Sequence, residues 1–192
     1  MKGTAMRSSD DRIDKSINFQ PVNIAVMTVS DTRTIEDDRS GDLLVSRIVE
    51  DGHILVARTI ITDDQPSIIV KLKEWICNPA IDAVVATGGT GLTGRDVTPE
   101  AFRSVIDKEI GGFGELFRYL SFGKIGTSTV QSRALAGVAG GTYLFALPGS
   151  PSGCRDAWDE ILRYQLDIRH KPCNFVEIMP RLAESVMQRR RG

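Results

Sequence analysis

Histidine and cysteine are scarce in this chain, with two of the first and three of the second among 192 residues. Cys77, Cys154 and Cys173 are odd in number, widely spaced and without a C-x-x-C pair. A disulfide framework is therefore not expected, and the reading is of reduced, buried thiols. His170 and Cys173 lie three apart, but two candidate ligands do not complete a zinc site, and nothing else supports a catalytic His–Cys pair. Charge of one sign is missing too. Lys and Arg number 24 against 25 Asp and Glu, a formal net charge of −1, so no basic field points to nucleic acid or a membrane surface. Arg189, Arg190 and Arg191 make only a local basic tip, read as solvated tail. No apolar run reaches the length of a membrane span, and the first twenty residues are polar and charged. No secretory signal is expected, and a cytoplasmic location is. Carboxylates and backbone groups are left to carry the chemistry.

The chain does have enough apolar material for a core, with 41% hydrophobic residues against 26% charged, and its length suits one domain. Residues 1–19 read as a flexible arm, 20–182 as a single domain and 183–192 as a polar tail. Within the domain, strand and helix patterns alternate. Strands are expected at 22–29, 55–61, 82–87 and Thr142–Leu147. A helix over 41–51 carries Leu44 and Ile48 on one face, with Ser40 as its cap. Ile68, Ile69, Leu72, Trp75 and Ile76 have helical spacing, as do Cys154, Trp158, Ile161, Leu162 and Gln165. Further helices are expected at 114–122 and, shorter, at 129–136. Trp75 and Trp158 read as core. The alternation implies a mainly parallel sheet covered by helices on both faces, an α/β fold.

Ligands of such sheets bind at the carboxyl ends of the strands. Those ends are Ser30-Asp31-Thr32, Thr62-Asp63-Asp64, Thr87-Gly88-Gly89-Thr90 and Pro148-Gly149-Ser150, all small, polar or acidic. Right-handed crossovers bring the four loops to one edge. The third begins "TGGTGLTGRDVTPEA", in which glycines let backbone N–H groups approach an anion closely. Gly89, Gly91 and Gly94 satisfy G-x-G-x-x-G, yet the loop follows the third strand. Thr98-Pro99, read as N-cap and first helical residue, also begins the helix four residues too late for a dinucleotide fold. Glu115 lies at about the distance of a ribose-binding acid, but in a helical "FGELFR" context. Walker A fails because Arg95 and Asp96 occupy its Lys and Ser/Thr positions.

Asp96 precedes a helix start, where an acid also favours the helix dipole. Asp63 and Asp64 follow a different strand, where a turn or cap role would suffice. Together, acids on two loops around a phosphate cradle point to metal–phosphate chemistry, since magnesium takes carboxylate and phosphate oxygens. Ser150 caps the helix begun by Pro151 and leaves N–H groups facing the crevice. Ser128, Thr129, Ser132 and Arg133 form a small polar face, read as solvated surface.

"TVSDTR", "EDDRSG", "ATGGTGLTGRDVTPEA", "GFGELFR", "GTSTVQSRALAGVA" and "ALPGSPSGC" together resemble the MoaB/MogA type of molybdenum cofactor biosynthesis proteins, over roughly residues 20–177. "LSFGKIGTST" and "KPCNF" are most similar to the MoaB branch. The resemblance implies a three-layer α/β/α molybdopterin-binding fold, a homotrimer or homohexamer, and work beside other proteins of the same pathway. It also implies adenylylation of molybdopterin by Mg-ATP with release of pyrophosphate. By motif position, Asp63 and Asp96 are the implied essential acids and magnesium ligands. Gly88, Gly89, Thr90 and Gly91 are the implied phosphate cradle. Ser30, Asp31, Thr98, Glu115, Ser132, Pro148, Gly149 and Ser150 complete the implied substrate site. Where active relatives carry Pro-Asp-Glu, this chain has Thr62-Asp63-Asp64. Two alternatives stay open: a molybdopterin or precursor carrier without catalysis, and a dinucleotide-dependent oxidoreductase, against which the loop length argues.

Overall fold

The computed structural model describes residues 10–182 and residue 184. Of the expected arm over 1–19, residues 1–9 lie outside the described residues, as does the expected tail over 183–192, with its arginine tip, apart from residue 184. Residues 10–19 run along the end of the chain. Ile13 bridges His170, the Tyr164 hydroxyl donates to Asp10 at 2.9 Å, and Phe19 lies against His53 with ring centroids 5.2 Å apart.

Strand β1 (Asn23–Val29) is an unbroken apolar run because both of its faces are covered. Ile24 and Val26 point into one core layer, and Ala25 and Met27 into the other. Helix α1 (Arg39–Glu50) sends Leu44 and Ile48, one turn apart, into the first layer. Strand β2 (Ile54–Ile61) returns beside β1. Helix α2 (Gln65–Ile76) is started by Asp64, which accepts from the Ser67 amide, with Pro66 in its first turn, and it fills the second layer with Ile68, Leu72 and Trp75. Strand β3 (Ala83–Thr87) is wholly buried, and the short helix α3 (Thr98–Arg103) adds Phe102 to the second layer.

Strand β4 (Lys108–Glu109), helix α4 (Gly111–Ile125), strand β5 (Leu135–Ala139) and strand β6 (Thr142–Leu147) follow. Helix α5 (Pro151–Ala157) continues through a π-helical turn at Trp158–Leu162 into α6 (Arg163–Gln165), and α7 spans Phe175–Ile178. The sheet order is β2-β1-β3-β6-β5-β4. Strands β2, β1, β3 and β6 are mutually parallel; β5 runs antiparallel to β6, and β4 antiparallel to β5. The expected mainly parallel α/β sheet is present, with α1, α4 and α5 on one face and α2 and α3 on the other.

Four local expectations change. Residues 129–136 are not a helix: a 3-10 turn at Gly126–Gln131 leads into β5. The alanine-rich "ALAGVA" carries no period to separate the two states, and the sheet edge decides. Helix α1 is capped by Asp38, which accepts from the Gly41 amide at 2.9 Å, while the Ser40 hydroxyl donates to the Gly149 carbonyl at 2.8 Å. Val97, not Thr98, holds the N-cap position of α3. Of the three free thiols only Cys154 is buried; Cys77 and Cys173 are exposed.

Candidate functional site

Because β1, β2, β3 and β6 are parallel, their carboxyl ends share one edge of the sheet. The glycine turn after β3 follows from close approach. Gly88 has φ +100°, and a Cβ there would lie 2.2 Å from the Val29 carbonyl oxygen. Gly89 has φ +61°, and a Cβ there would lie 2.4 Å from Thr98 Oγ1 and 2.7 Å from Asp63 Oδ1. Only glycine fits either place. These distances also bring loop β2–α2, the glycine turn and the start of α3 together.

Three carboxylates gather there. The Asp63 amide donates to Asp31 Oδ1 at 3.1 Å, and Asp31 pairs with Arg95 from the glycine loop. Burial raises the Asp63 pKa, and the negative charges of Asp31 and Asp96 push it further the same way, with Arg95 offsetting part. Asp96 is shifted oppositely. The Thr93 hydroxyl, donating at 2.6 Å, lowers its pKa most, helped by the Thr93 and Gly91 amides and by Arg133. Asp63 thus stands among more negative than positive charge, and Asp96 is fixed in direction. Thr98 Oγ1 is buried behind Gly89 with no hydrogen-bond partner among the described residues.

Arg133 fastens this loop. Its Nε donates to the Gly91 carbonyl and its Nη2 to the Asp96 carbonyl, each at 2.7 Å, and its Nη1 pairs with Glu100 of α3. Its neighbours on the same turn line a cavity of about 340 Å³ with Thr90, Gly91, Pro148, Gly149 and Ser150. Ser128, Thr129 and Ser132 face this cavity, so the expected solvated surface is instead its wall. Spacing alone gave no sign of this, because the turn's role depends on β5 entering the sheet beside it.

A second cavity, of about 280 Å³, lies across Gly88 and Gly149 and is lined by Ser30, Arg33, Arg39, Ser40 and Thr87. Between the two, Ser150 caps α5 by accepting from the Gly153 amide at 3.1 Å, and Thr87 Oγ1 donates to the Pro148 carbonyl at 2.8 Å. Asp38 is buried below the second cavity. Burial opposes its charge, but donors from Thr28, Arg58 and Gly41 more than offset that and lower its pKa. Of the sequence-derived residues, Ser30, Gly88, Thr90, Gly91, Ser132, Pro148, Gly149 and Ser150 line one cavity or both, Asp31, Asp63, Gly89, Asp96 and Thr98 stand at the glycine turn outside their linings, and Glu115 sits on an exposed part of α4.

A family model described as "Probable molybdopterin binding domain" matches residues 25–168. The chain belongs to this molybdopterin-binding-domain family. It is 49% identical over 160 residues to the molybdenum cofactor biosynthesis protein B of Escherichia coli (strain K12), spanning 83% of this chain and 94% of that protein. The protein of the same name from Bacillus cereus is 42% identical over 146 residues, 76% of this chain and 86% of the relative. Among solved structures, a molybdenum cofactor biosynthesis protein B superposes with a TM-score of 0.78 at 37% identity, covering 86% of this chain and 98% of the other. The tungsten cofactor synthesizing protein MoaB from Pyrococcus furiosus gives 0.71 at 31%, covering 85% and 98%. The kinship with MoaB/MogA proteins read from the motifs therefore holds. Among the described residues no helix is long and apolar enough to cross a membrane.

Proposed function

We propose that this protein binds molybdopterin at the strand-end crevice and adenylylates it with Mg-ATP, releasing pyrophosphate. The observation that carries the reading is the gathering of Asp31, Asp63 and Asp96 over the Gly88-Gly89 turn. An anion cradle beside Asp63, whose neighbours are more negative than positive, suits a phosphate that arrives with a cation.

The residues fit magnesium. Asp63 has a raised proton affinity from burial and neighbouring acids, and so gains from a nearby cation. Among the described residues no three acids, histidines or cysteines converge as a complete ligand set. Asp63 and Asp96 would thus hold the ion jointly with triphosphate oxygens, the habit of magnesium at phosphate sites. Bound there, magnesium supplies charge neutralisation on the triphosphate. The backbone amides of the glycine turn orient the phosphates, and Arg133 keeps Asp96 in place. An oxygen of the molybdopterin terminal phosphate attacks the α-phosphorus of ATP. A new P–O bond forms, the bond to the bridging oxygen breaks, and pyrophosphate leaves with that electron pair. The nucleophile is already anionic, so no side-chain base is required.

The 340 Å³ cavity suits the pterin, and the cavity lined by Arg33 and Arg39 suits further phosphate or nucleotide. Self-association into a homotrimer or homohexamer is part of the proposal. Tyr119, Phe122 and Val130 are 72%, 56% and 80% exposed, an apolar surface that a second copy of the chain would cover. We place this activity in the cytoplasm beside other proteins of the pathway. Incubation with molybdopterin and Mg-ATP, followed by direct detection of adenylylated product, tests the reading; a carrier would bind the pterin and leave ATP intact.

A further inference from the structure

Seven serine and threonine side chains stand around the larger of the two cavities, and it has one carboxylate, that of Asp156. Asp156 follows Gly153 by one helical turn on α5, and both face the cavity. Its side chain is 18% exposed, and Lys124 Nζ, from α4, donates to its Oδ1 at 2.7 Å. Asp156 Oδ2 accepts no hydrogen bond among the described residues. Phe117 and Ile125 supply apolar surface in the same cavity.

We propose that Asp156, with Lys124, reads the amidine edge of a pterin and makes this cavity selective for 2-amino-4-oxopteridines. The inference rests on the reading of the cavity as the pterin pocket. Along one edge, such a ring presents the 2-amino N–H, the N3–H and the 4-oxo group, in the order donor, donor, acceptor. The two Asp156 oxygens accept the two donors side by side, as a carboxylate does from any planar fork of N–H groups. The Lys124 ammonium, already on Oδ1, has further protons for the 4-oxo group. A 2-oxo ring reverses the first position and sets an acceptor against Asp156 Oδ2, so it is rejected by an unpaired contact rather than by size.

The test is fluorescence titration with 6-hydroxymethylpterin and with its 2-oxo counterpart, 6-hydroxymethyllumazine, with circular dichroism confirming the fold of each variant. The wild-type protein is expected to prefer the pterin by about tenfold or more. Asp156→Asn should weaken pterin binding roughly tenfold to a hundredfold and erase most of the preference, because one acceptor becomes a donor. Lys124→Gln should weaken the pterin less and keep the preference. Equal binding of both rings by the wild-type protein, or an unchanged preference in folded Asp156→Asn, overturns the assignment. If Asp156→Asn does not fold, full pterin affinity in Lys124→Gln overturns it. A wild-type protein that binds neither ring removes the pterin-pocket reading itself, and this inference with it.

Discussion

Arg133 Nη2 donates to the backbone carbonyl of Asp96 at 2.7 Å, so the acid at the far end of the glycine loop is held by its main chain. The same guanidinium takes the Gly91 carbonyl and the Glu100 carboxylate, tying both ends of the loop to α3. Arg133→Ala leaves those groups unmatched and frees the loop. Product formation should fall by about tenfold or more, the cost of a misplaced reacting geometry. Hydrogen exchange should rise at residues 91–96 while the strands stay protected. Unchanged exchange in that loop would remove the clamp.

The two acids should separate stability from chemistry. Asp63 carries a raised pKa, so its charge disfavours the folded state, and the stability it contributes is lost as pH rises through the folded value. Asp63→Asn should therefore melt at or above the wild-type temperature at neutral pH while losing activity. Asp96 has a lowered pKa, which contributes stability above its ordinary range and loses it as pH falls. Asp96→Asn should melt slightly lower and lose at least about a hundredfold in turnover, the scale of a missing preorganised electrostatic contact. Melting curves and product assays on the same samples separate the two. A merely structural Asp96 would give near-normal turnover of the folded fraction.

Gly88 is the position where added bulk has nowhere to go. Its φ of +100° and the Val29 carbonyl 2.2 Å from any Cβ are both backbone constraints. Gly88→Ala should destabilise the protein by about 2 kcal/mol or more, readable in chemical denaturation. Gly94, with open space around it, should tolerate alanine with little change.

His53 gives a pH signature away from the site. Its Nδ1 accepts from the Val22 amide at 3.2 Å, and its Nε2 is buried without a partner among the described residues. Burial lowers its pKa from the ordinary 6.5, outweighing the nearby charges of Asp51 and Asp167. Neutral His53 therefore contributes stability that is complete above the ordinary value and lost as pH falls toward the folded one. Between pH 7 and pH 5 the wild-type melting temperature should drop more than that of His53→Gln, which does not titrate. Equal drops would contradict this.

What the sequence made legible was the buried, parallel half of the fold. The runs at β1, β3 and β6 can be little else, and each ends in a polar or glycine turn on the same edge. Asp63, Asp96 and Ser150 could thus be placed together from strand order alone. The antiparallel edge was hidden, because β4 is two residues long and β5 is built of alanine, glycine and valine. With it went the roles of Arg133 and the Ser128–Ser132 wall, which depend on that edge turning back toward the glycine loop. Glu115, expected from its motif, lies exposed on α4.

The exposed apolar residues of α4 bear on assembly. Tyr119→Glu and Phe122→Glu should shift the protein toward monomer in light scattering, by placing charge on the proposed contact. A wild-type protein already monomeric at micromolar concentration would contradict the assembly.

The central claim is adenylylation, and one reaction tests it most directly. The protein is incubated with molybdopterin, magnesium and ATP labelled at the α-phosphate, and the pterin product is isolated by chromatography. Label is expected in adenylylated molybdopterin, with one pyrophosphate released per product and almost none of either in Asp96→Asn. Tight pterin binding with no transfer of label by the folded wild-type protein would contradict it and leave a carrier.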